Sequence, residues 1–306
     1  MTDYDLIIIG SGPAGMTAAV YAARADLHVL LLDKLAPGGQ IINTNEINNY
    51  TGIQSVNGAE LAMQMFEHTQ ALNVEFDYRT VTEIRDVNEG VKEVVCLEDE
   101  KVYTAKTVII ATGTRHRTLG LPSEENWKGN GISWCAVCDG EQYRDKDVVV
   151  IGGGNSAVEE SIYLAGIVKS LTIVTMFDLT ADPMVCDKLR AMDKVTIYPY
   201  QDVLEFTGEE KLSGVRFRST KTGEERSVSC DGVFEFIGLE PTTEFAEKLG
   251  ILDRGYVTTD RNMHTAVPGV FAAGDCIVKG LRQVITACGD GAIAAEEAAH
   301  YVQKLA

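Results

Sequence analysis

The sequence predicts an α/β fold in which two similar domains each contain a parallel sheet. Asp5–Gly10 is a short apolar run of strand-forming residues that ends in glycine, as is typical of strands buried on both faces. Pro13–Ala25 follows with alanine-rich helical spacing, and His28–Leu32 completes a β-α-β unit. The same order of patterns returns at Asp147–Ile151, Ser156–Ala165 and Leu171–Val174. Because each unit needs its own sheet, the sequence predicts two domains.

The remaining apolar runs suggest where the chain passes between the domains. Further strands are expected at Thr107–Gly113, Val233–Glu240 and Val270–Asp275, and an alanine-rich helix follows near the end. We expect the first crossing near Gly113–Arg117 and the second at Pro241, directly after a strand. Periodicity alone leaves open whether the last segment returns to the first domain.

Composition and charge narrow the class of protein. The chain has 306 residues, of which 45% are hydrophobic and 24% charged, the profile of a globular protein in water. The formal net charge of −18 repels phosphates, so neither nucleic acid nor an anionic membrane is expected as a partner. No apolar run approaches the ~18 residues of a membrane helix, and the first residues lack the basic segment of a signal peptide. We therefore expect a cytoplasmic protein.

A glycine-rich loop follows the first predicted strand. Gly10, Gly12 and Gly15 match the fingerprint in which the three glycines allow a tight turn, approach to a pyrophosphate and close helix packing. The pyrophosphate is expected at the helix N-terminus, where free N–H groups favour negative charge. Asp33 closes the second strand and is placed to bind an adenosine ribose. The loop by itself does not distinguish FAD from NAD.

Cys135 and Cys138 are the only closely spaced pair among the seven cysteines. A C-x-x-C pair closes a small disulfide ring, and such pairs often have a lowered thiol pKa that provides thiolate near neutral pH. Asp139 follows directly and is placed to hold a proton for a leaving thiolate. The alternative is half of a zinc site, but no second C-x-x-C exists and the five histidines are isolated, so no metal is predicted. The other five cysteines are expected to be inert.

The order and spacing of these segments resemble the low-molecular-weight thioredoxin reductases over nearly the whole chain. The motifs that carry the resemblance are GSGPAG at 10–15, GGQ at 38–40, NYTG at 49–52, ATG at 111–113, CAVCDG at 135–140, GGGNSA at 152–157, GD at 274–275 and RQ at 282–283. The resemblance implies two Rossmann-like domains of three-layer ββα type, the second inserted into the first. It implies an FAD-binding domain of residues 1–115 and 244–306, and a pyridine-nucleotide-type domain of residues 116–243 that carries the C-x-x-C.

The resemblance also implies FAD as the cofactor, thioredoxin as the partner and a homodimer as the assembly. The residues that it places at the cofactor are Gly10, Gly12, Pro13, Ala14, Gly15, Asp33, Lys34, Gly39, Gln40, Asn49, Ala111, Thr112, Gly113, Gly274, Asp275, Arg282 and Gln283. Cys138 is then the sulfur next to the flavin, Cys135 the thiol that attacks the thioredoxin disulfide, and Asp139 the acid–base residue. We therefore expect a thioredoxin-disulfide reductase.

The segment after the second glycine loop departs from the family pattern. NADPH-using relatives end the next strand in His-Arg-Arg, with another arginine shortly after, and these cations hold the 2′-phosphate. Here residues 175–178 are Thr-Met-Phe-Asp, and Ala181 stands at the later arginine position. Loss of two or three charged hydrogen bonds, at roughly 1.5–3 kcal/mol each, predicts NADPH binding weaker by several orders of magnitude. NADH is not favoured either, because no Asp or Glu stands at the end of the strand after Val174, where it would bind the ribose hydroxyl of NADH.

Three hypotheses about electron supply follow. The leading one is a donor other than NADPH, such as reduced ferredoxin, which serves family members that lack the arginines. An acidic ferredoxin needs a basic patch, for which the candidates by sequence clustering are Arg115, Arg117, Lys128, Arg144 and Lys146. The first alternative is an ordinary NADPH-dependent enzyme with an atypical 2′-phosphate site, in which Lys188 or Arg190 replaces the missing cations. The second alternative is an FAD-binding redox sensor without turnover.

Overall fold

The computed structural model describes residues 2–305 except Asn45, Glu46 and Asn48, and the side chains of Asn43 and Cys138 also lie outside the description. The chain has two compact units. The first consists of Met1–Arg115 and Glu240–Ala306, and the second of His116–Leu239. The chain thus returns to the first unit at Glu240, whereas the sequence placed the return at residue 244. The assignment of FAD to the first unit and of a pyridine nucleotide to the second stays a prediction.

The described residues of these units form nineteen strands and six α-helices. The strands are β1 (Tyr4–Ile9), β2 (Val29–Asp33), β3 (Glu75–Tyr78), β4 (Val81–Asn88), β5 (Val91–Cys96), β6 (Val102–Ile110), β7 (Thr114–His116), β8 (Ile132–Ser133), β9 (Asp147–Ile151), β10 (Ser170–Thr175), β11 (Val195–Pro199), β12 (Gln201–Gly208), β13 (Leu212–Ser219), β14 (Glu225–Ser229), β15 (Gly232–Glu235), β16 (Leu239–Pro241), β17 (Leu252–Asp253), β18 (Tyr256–Val257) and β19 (Val270–Ala272), counted over the described residues. The helices there are α1 (Pro13–Arg24), α2 (Gly58–Ala71), α3 (Ala136–Asp139), α4 (Asn155–Ala165), α5 (Pro183–Arg190) and α6 (Val284–Leu305).

The first unit is built on a sheet in the order β3-β2-β1-β6-β5-β4, with β19 beside the end of β6. The strands β3, β2, β1, β6 and β19 run parallel, whereas β4, β5 and β6 pair antiparallel. Leu6, Ile7 and Ile8 of β1 are completely buried. Coverage of both faces of the parallel strands explains the continuous apolar run that the sequence shows here.

The second unit repeats this plan. Its parallel sheet has the order β11-β10-β9-β15-β8, and a separate antiparallel sheet has the order β12-β13-β14. Val148, Val149 and Val150 of β9 are buried like their counterparts in β1. The predicted α/β fold with parallel sheets is therefore confirmed.

The prediction of a single strand at Val233–Glu240 is wrong. β15 ends at Glu235, and β16 begins at Leu239 and pairs with β7. Gly238 interrupts the run with a φ of 112°, a conformation that glycine adopts at little cost, and its carbonyl accepts a hydrogen bond from the Arg117 N–H. The apolar pattern continues across this turn, so hydrophobicity alone does not reveal it.

Helices α1 and α6 pack against each other at a glycine. A Cβ atom added at Gly291 of α6 would lie 2.1 Å from the carbonyl oxygen of Ala14 in α1. A Cβ atom added at Gly289 of the same helix would meet no atom within 4 Å. The two glycines therefore differ in what surrounds them, although both lie within one helix.

We expect Gly291→Ala to lower the free energy of unfolding by about 1–3 kcal/mol, because the two helix backbones must separate. The matched control, Gly289→Ala, is expected to raise it by about 0.5–1 kcal/mol, since alanine is the better helix former and fits the open space. Urea denaturation followed by circular dichroism measures both changes. Equal effects of the two substitutions would contradict the packing described.

Candidate active site

The first glycine loop lies where β1 and β6, neighbours in the sheet, both end. A Cβ atom added at Gly10 would lie 2.4 Å from the carbonyl oxygen of Ala111, so the loop turns directly against the residue after β6. Gly12 is the N-cap of α1, and no side chain caps this helix end. A Cβ atom added at Gly12 would meet no other atom within 4 Å. Open space therefore lies beside the start of α1, where no side chain caps the N–H groups of the first turn. This is the arrangement that binds a pyrophosphate.

Two buried polar atoms at this edge of the sheet have no hydrogen-bond partner. They are Oδ1 of Asp275, after β19, and Oγ1 of Thr112, after β6. Gly274 approaches the loop closely, because a Cβ added there would lie 2.7 Å from the Ala14 Cβ. Burial raises the pKa of the Asp275 carboxyl. An unsatisfied buried polar group costs about 1–3 kcal/mol, which hydrogen bonds to a bound dinucleotide would remove, so these residues fit FAD.

Asp33 holds the glycine loop from the end of β2. Its Oδ2 accepts hydrogen bonds from the N–H and the hydroxyl of Ser11, both at 2.7 Å, and its Oδ1 accepts one from the Leu35 N–H at 3.0 Å. The ribose contact expected of Asp33 stays a prediction, as does the role of the exposed Lys34. Ser11 was not singled out from the sequence, because it occupies a variable position of the fingerprint.

Other predicted cofactor residues also meet at this edge. The Asn49 Nδ2 donates a hydrogen bond of 2.9 Å to the Gln283 Oε1, although the two residues are far apart in sequence. The Arg282 guanidinium donates to the Asp275 carbonyl at 3.3 Å. The remaining predicted residues lie at the start of α1 (Pro13, Ala14 and Gly15), in the short 3-10 helix that follows β2 (Gly39 and Gln40), and directly after β6 (Ala111 and Gly113).

The second glycine loop repeats this geometry at the end of β9. A Cβ atom added at Gly152 would lie 2.4 Å from the carbonyl oxygen of Phe236, the residue after β15. Gly154 is the N-cap of α4, again without a side-chain cap and with no atom within 4 Å of an added Cβ. The ψ angles of Gly12 and Gly154 are −177° and −178°. The second unit thus has its own loop of dinucleotide-binding form.

The residues after β10 are apolar and acidic. Met176 and Phe177 are 56% and 63% exposed, and Asp178 forms a salt bridge of 2.9 Å with Arg190 of α5. The Leu179 N–H, and then the Arg190 guanidinium, lower the pKa of Asp178. Arg190, one of the two cations considered as substitutes for the missing arginines, is therefore held at this strand end.

The redox segment connects β8 to α3. Cys135 is disulfide-bonded, and the side chain of Cys138, its predicted partner, lies outside the described residues. The Ser133 hydroxyl donates a hydrogen bond of 2.6 Å to the Asp139 carboxylate and accepts one of 3.2 Å from the Cys135 N–H. Gln142 donates to the other Asp139 oxygen at 3.3 Å. Ser133 thus joins two residues that the sequence singled out, while it was itself missed.

Trp134, directly before Cys135, is held on two sides. Its indole Nε1 donates a hydrogen bond of 3.1 Å to Oε2 of Glu235 at the end of β15, and the His116 ring stacks on it with 5.9 Å between centroids. Burial lowers the pKa of His116. Burial, and then the neighbouring Glu124, raise the pKa of Glu235 to about 8. The signal that could have revealed Glu235 is an acidic residue that directly follows the buried apolar residues of a strand.

The other five cysteines are free thiols in buried positions: Cys96, Cys186, Cys230, Cys276 and Cys288. Burial raises the pKa of Cys96 and Cys276 to about 11 and that of Cys230 to about 12. Across the described part of the chain, no group of three His, Cys, Asp or Glu side chains could hold a metal ion. In that same part, no helix has the length and apolar character needed to cross a membrane.

Several cations that the sequence suggested as a docking patch are paired with carboxylates. The pairs are Arg115 with Glu240 and Glu244, Lys128 with Glu125, and Arg144 with Glu141. Each pair neutralises positive charge that an acidic protein partner would need. The hypothesis of a ferredoxin docking patch therefore loses three of its five residues.

Two loops of dinucleotide-binding form and a disulfide-bonded cysteine beside a held carboxylate define the class of a dinucleotide-dependent disulfide oxidoreductase. A family model described as pyridine nucleotide-disulphide oxidoreductase matches residues 4–291, and the chain belongs to this family. Its membership confirms FAD as the cofactor. The chain is therefore a flavoprotein oxidoreductase.

The relatives narrow this class. The chain is 44% identical to a thioredoxin reductase of Bacillus subtilis over 305 residues, which is 99% of this chain and 96% of that protein. Among solved structures, a thioredoxin reductase from Streptococcus pyogenes matches with a TM-score of 0.85, 45% identity and 98% of each chain covered. One from Lactococcus lactis matches with a TM-score of 0.76 and 42% identity, over 99% of this chain and 100% of that chain. These relatives give no support to a ferredoxin-dependent subtype.

The open space at the two N-cap glycines allows a matched test of which loop binds which dinucleotide. We expect Gly12→Val to fold but to purify with little flavin, because the side chain fills the space where a pyrophosphate approaches. Gly154→Val is expected to retain flavin and to lose reduction by a pyridine nucleotide. Flavin absorbance per chain and anaerobic bleaching measure the two properties. Normal flavin content in Gly12→Val, with loss in Gly154→Val, would reverse the assignment.

Proposed function

We propose that the chain is a thioredoxin-disulfide reductase, in which electrons pass through FAD and the Cys135–Cys138 pair to the disulfide of thioredoxin. The observation that carries the proposal is the disulfide-bonded Cys135 next to the held carboxylate of Asp139. The names of the relatives at about 44% identity support it. The homodimer implied by the resemblance belongs to the proposal, and sedimentation equilibrium measures it.

The residues of the redox segment have separate roles in this proposal. When bound, FAD would supply the two-electron chemistry that links a donor to a disulfide. Cys138 is the sulfur on the flavin side, and reduction of the pair releases Cys135 as a thiol. Cys135 then attacks the thioredoxin disulfide, and Cys138 resolves the mixed disulfide, so that the protein pair is oxidised while two thioredoxin thiols form. Asp139, held by Ser133, exchanges the proton at the leaving thiolate.

NADPH is the donor in this proposal, in place of the ferredoxin that the sequence alone favours. The second glycine loop has the open N-cap that suits a pyrophosphate, and the family is that of pyridine nucleotide enzymes. Arg190 is a cation available to the 2′-phosphate at this strand end, and Asp178 competes with the phosphate for it. An atypical phosphate site of this kind replaces the arginines that are missing after β10.

We expect Cys138→Ser to abolish thioredoxin reduction, because the flavin then has no disulfide to reduce and a mixed disulfide cannot be resolved. The control is Cys186→Ala, which removes a buried free thiol of the same unit and is expected to leave turnover within about twofold of the original. Reduction of thioredoxin, coupled to insulin precipitation, measures both. Full activity in Cys138→Ser would refute the proposed pathway.

The pairing of Arg190 with Asp178 predicts opposite effects of two substitutions. Arg190→Ala is expected to raise the concentration of NADPH needed for half-maximal flavin reduction by about 10–100-fold, the effect of one lost charged hydrogen bond. Asp178→Asn is expected to lower it, because Arg190 is then free for the phosphate. Neither should alter the response to NADH, which lacks that phosphate.

Anaerobic stopped-flow bleaching of the flavin band with NADPH, NADH and reduced ferredoxin measures these effects. If reduced ferredoxin bleaches the flavin of the unmodified protein and neither nucleotide does, NADPH is not the electron donor. The proposed reduction of thioredoxin would be unaffected by that result.

A further inference from the structure

Two carboxyl groups are buried together in the second unit. Glu124 and Glu235 are each 1% exposed, and burial, and then the charge of Glu124, raise the pKa of the Glu235 carboxyl. Oε1 of each residue is buried and has no hydrogen-bond partner among the described residues. Two carboxylates at such short range in a buried place cannot both stay ionised. One proton shared between the two Oε1 atoms would give each of them a partner.

The surrounding donors decide where that proton resides. Oε2 of Glu124 accepts hydrogen bonds from the N–H groups of Gly120 and Leu121, at 2.8 and 3.3 Å. Oε2 of Glu235 accepts one hydrogen bond, from the Trp134 indole at 3.1 Å. Two backbone donors stabilise a carboxylate more than a single indole does. The proton therefore resides on Glu235, the carboxyl whose pKa burial raises.

Trp134 connects this pair to the redox segment. The residue after it, Cys135, has its N–H fixed by the Ser133 hydroxyl. The Trp134 ring is fixed by Glu235 on one side and by the His116 ring on the other. Lys128, which forms an ion pair with Glu125, is a further charged group that acts on Glu235. The peptide between Trp134 and Cys135 is thus set by contacts at both of its ends.

We propose that Glu235 is a positioning residue for the redox disulfide: its proton, shared with Glu124, leaves its second oxygen free to anchor the Trp134 indole, and the anchored indole sets the backbone that presents Cys135. Loss of the shared proton brings two buried carboxylates face to face and disturbs the anchor. The effect on turnover rests on the proposed thioredoxin reduction, whereas the coupling between Glu235 and Trp134 does not.

The neighbours of Glu235 argue against a purely structural role. Val233 and Phe234, which precede it in β15, are completely buried and apolar. An apolar residue at position 235 would avoid the cost of burying a second carboxyl. The carboxyl of Glu235 accepts the hydrogen bond from the Trp134 indole, which an apolar residue at this position could not do.

Nuclear magnetic resonance of the indole N–H groups tests the coupling in the nitrogen-15-labelled holoprotein. The chain has two tryptophans, Trp127 and Trp134, whose signals are assigned with Trp134→Phe. Between about pH 6 and pH 9.5 the Trp134 signal is expected to shift with a midpoint near 8, while the Trp127 signal stays fixed. Glu235→Gln keeps both hydrogen bonds without a titrating proton and should remove the shift. A pH-independent Trp134 signal, or an unchanged shift in Glu235→Gln, overturns the proposal.

Unfolding gives a second readout with a defined sign. The Glu235 carboxyl keeps its proton in the folded protein up to about pH 8, whereas in the unfolded chain it loses the proton near its ordinary pKa of 4.5. The folded protein therefore loses stability as the pH rises between these values. The amide side chain of the Glu235→Gln variant cannot titrate. The melting temperature of the variant minus that of the original protein should therefore increase as the pH rises across this interval. Parallel melting temperatures would show that the buried proton does not exist.

Turnover tests the positioning role. Glu235→Leu removes the acceptor of the indole and is expected to lower kcat for thioredoxin about tenfold with KM nearly unchanged, while Glu235→Gln keeps the original kcat at neutral pH. An unchanged kcat in folded Glu235→Leu overturns the positioning role. If the original protein fails to reduce thioredoxin at all, the proposed function fails, but the titration of Trp134 still decides whether Glu235 and Trp134 are coupled.

Discussion

The close approach of one strand end to the backbone of its neighbour is the constraint on which both units depend. At Gly10 and at Gly152 the chain turns against a carbonyl oxygen of the adjacent strand end, with no room for a Cβ atom. This turn directs the following helix so that its N-cap glycine and unpaired N–H groups stand at the edge of the sheet. Polar groups of neighbouring loops, such as Asp275 in the first unit, then surround an opening that suits a pyrophosphate. The site is thus a consequence of how the strands end.

The parts of the structure that depend on local pattern could be predicted from the sequence. The two β-α-β units were predictable because parallel strands buried on both faces need continuous apolar runs, as at Ile7 and Val149. The glycine loops were predictable because close backbone approach excludes other residues. The break at Gly238 was not, because the apolar residues before it hide the turn. Ser133 and Glu235 were missed because their partners are fixed by tertiary contacts that no periodicity encodes.

The electron donor shows a similar limit of sequence reasoning. The absent arginines after β10 favoured a protein donor, and clustered cations elsewhere were the candidates for its docking patch. A sequence displays such charges without their partners. In a chain with 45 acidic and 27 basic residues, a cation readily finds a carboxylate nearby. Arg144 does so within its own segment, and Arg190 pairs with the aspartate that stands close to the expected phosphate position. Charge clusters therefore say little about docking until the ion pairs are known.

The enclosure of the five free thiols determines where this protein is chemically vulnerable. Oxidants and electrophilic drugs react with exposed thiolates. Cys96, Cys230 and Cys276 are buried, and burial also raises the pKa of their thiols, so that they stay protonated near neutral pH. Cys186 and Cys288 are buried as well. Covalent modification of cysteine thiols is therefore expected in the segment around Cys135, and only after its disulfide has been reduced. A thiol-reactive electrophile would therefore label the protein whose redox disulfide has been reduced, and it would not label the protein in which that disulfide is intact.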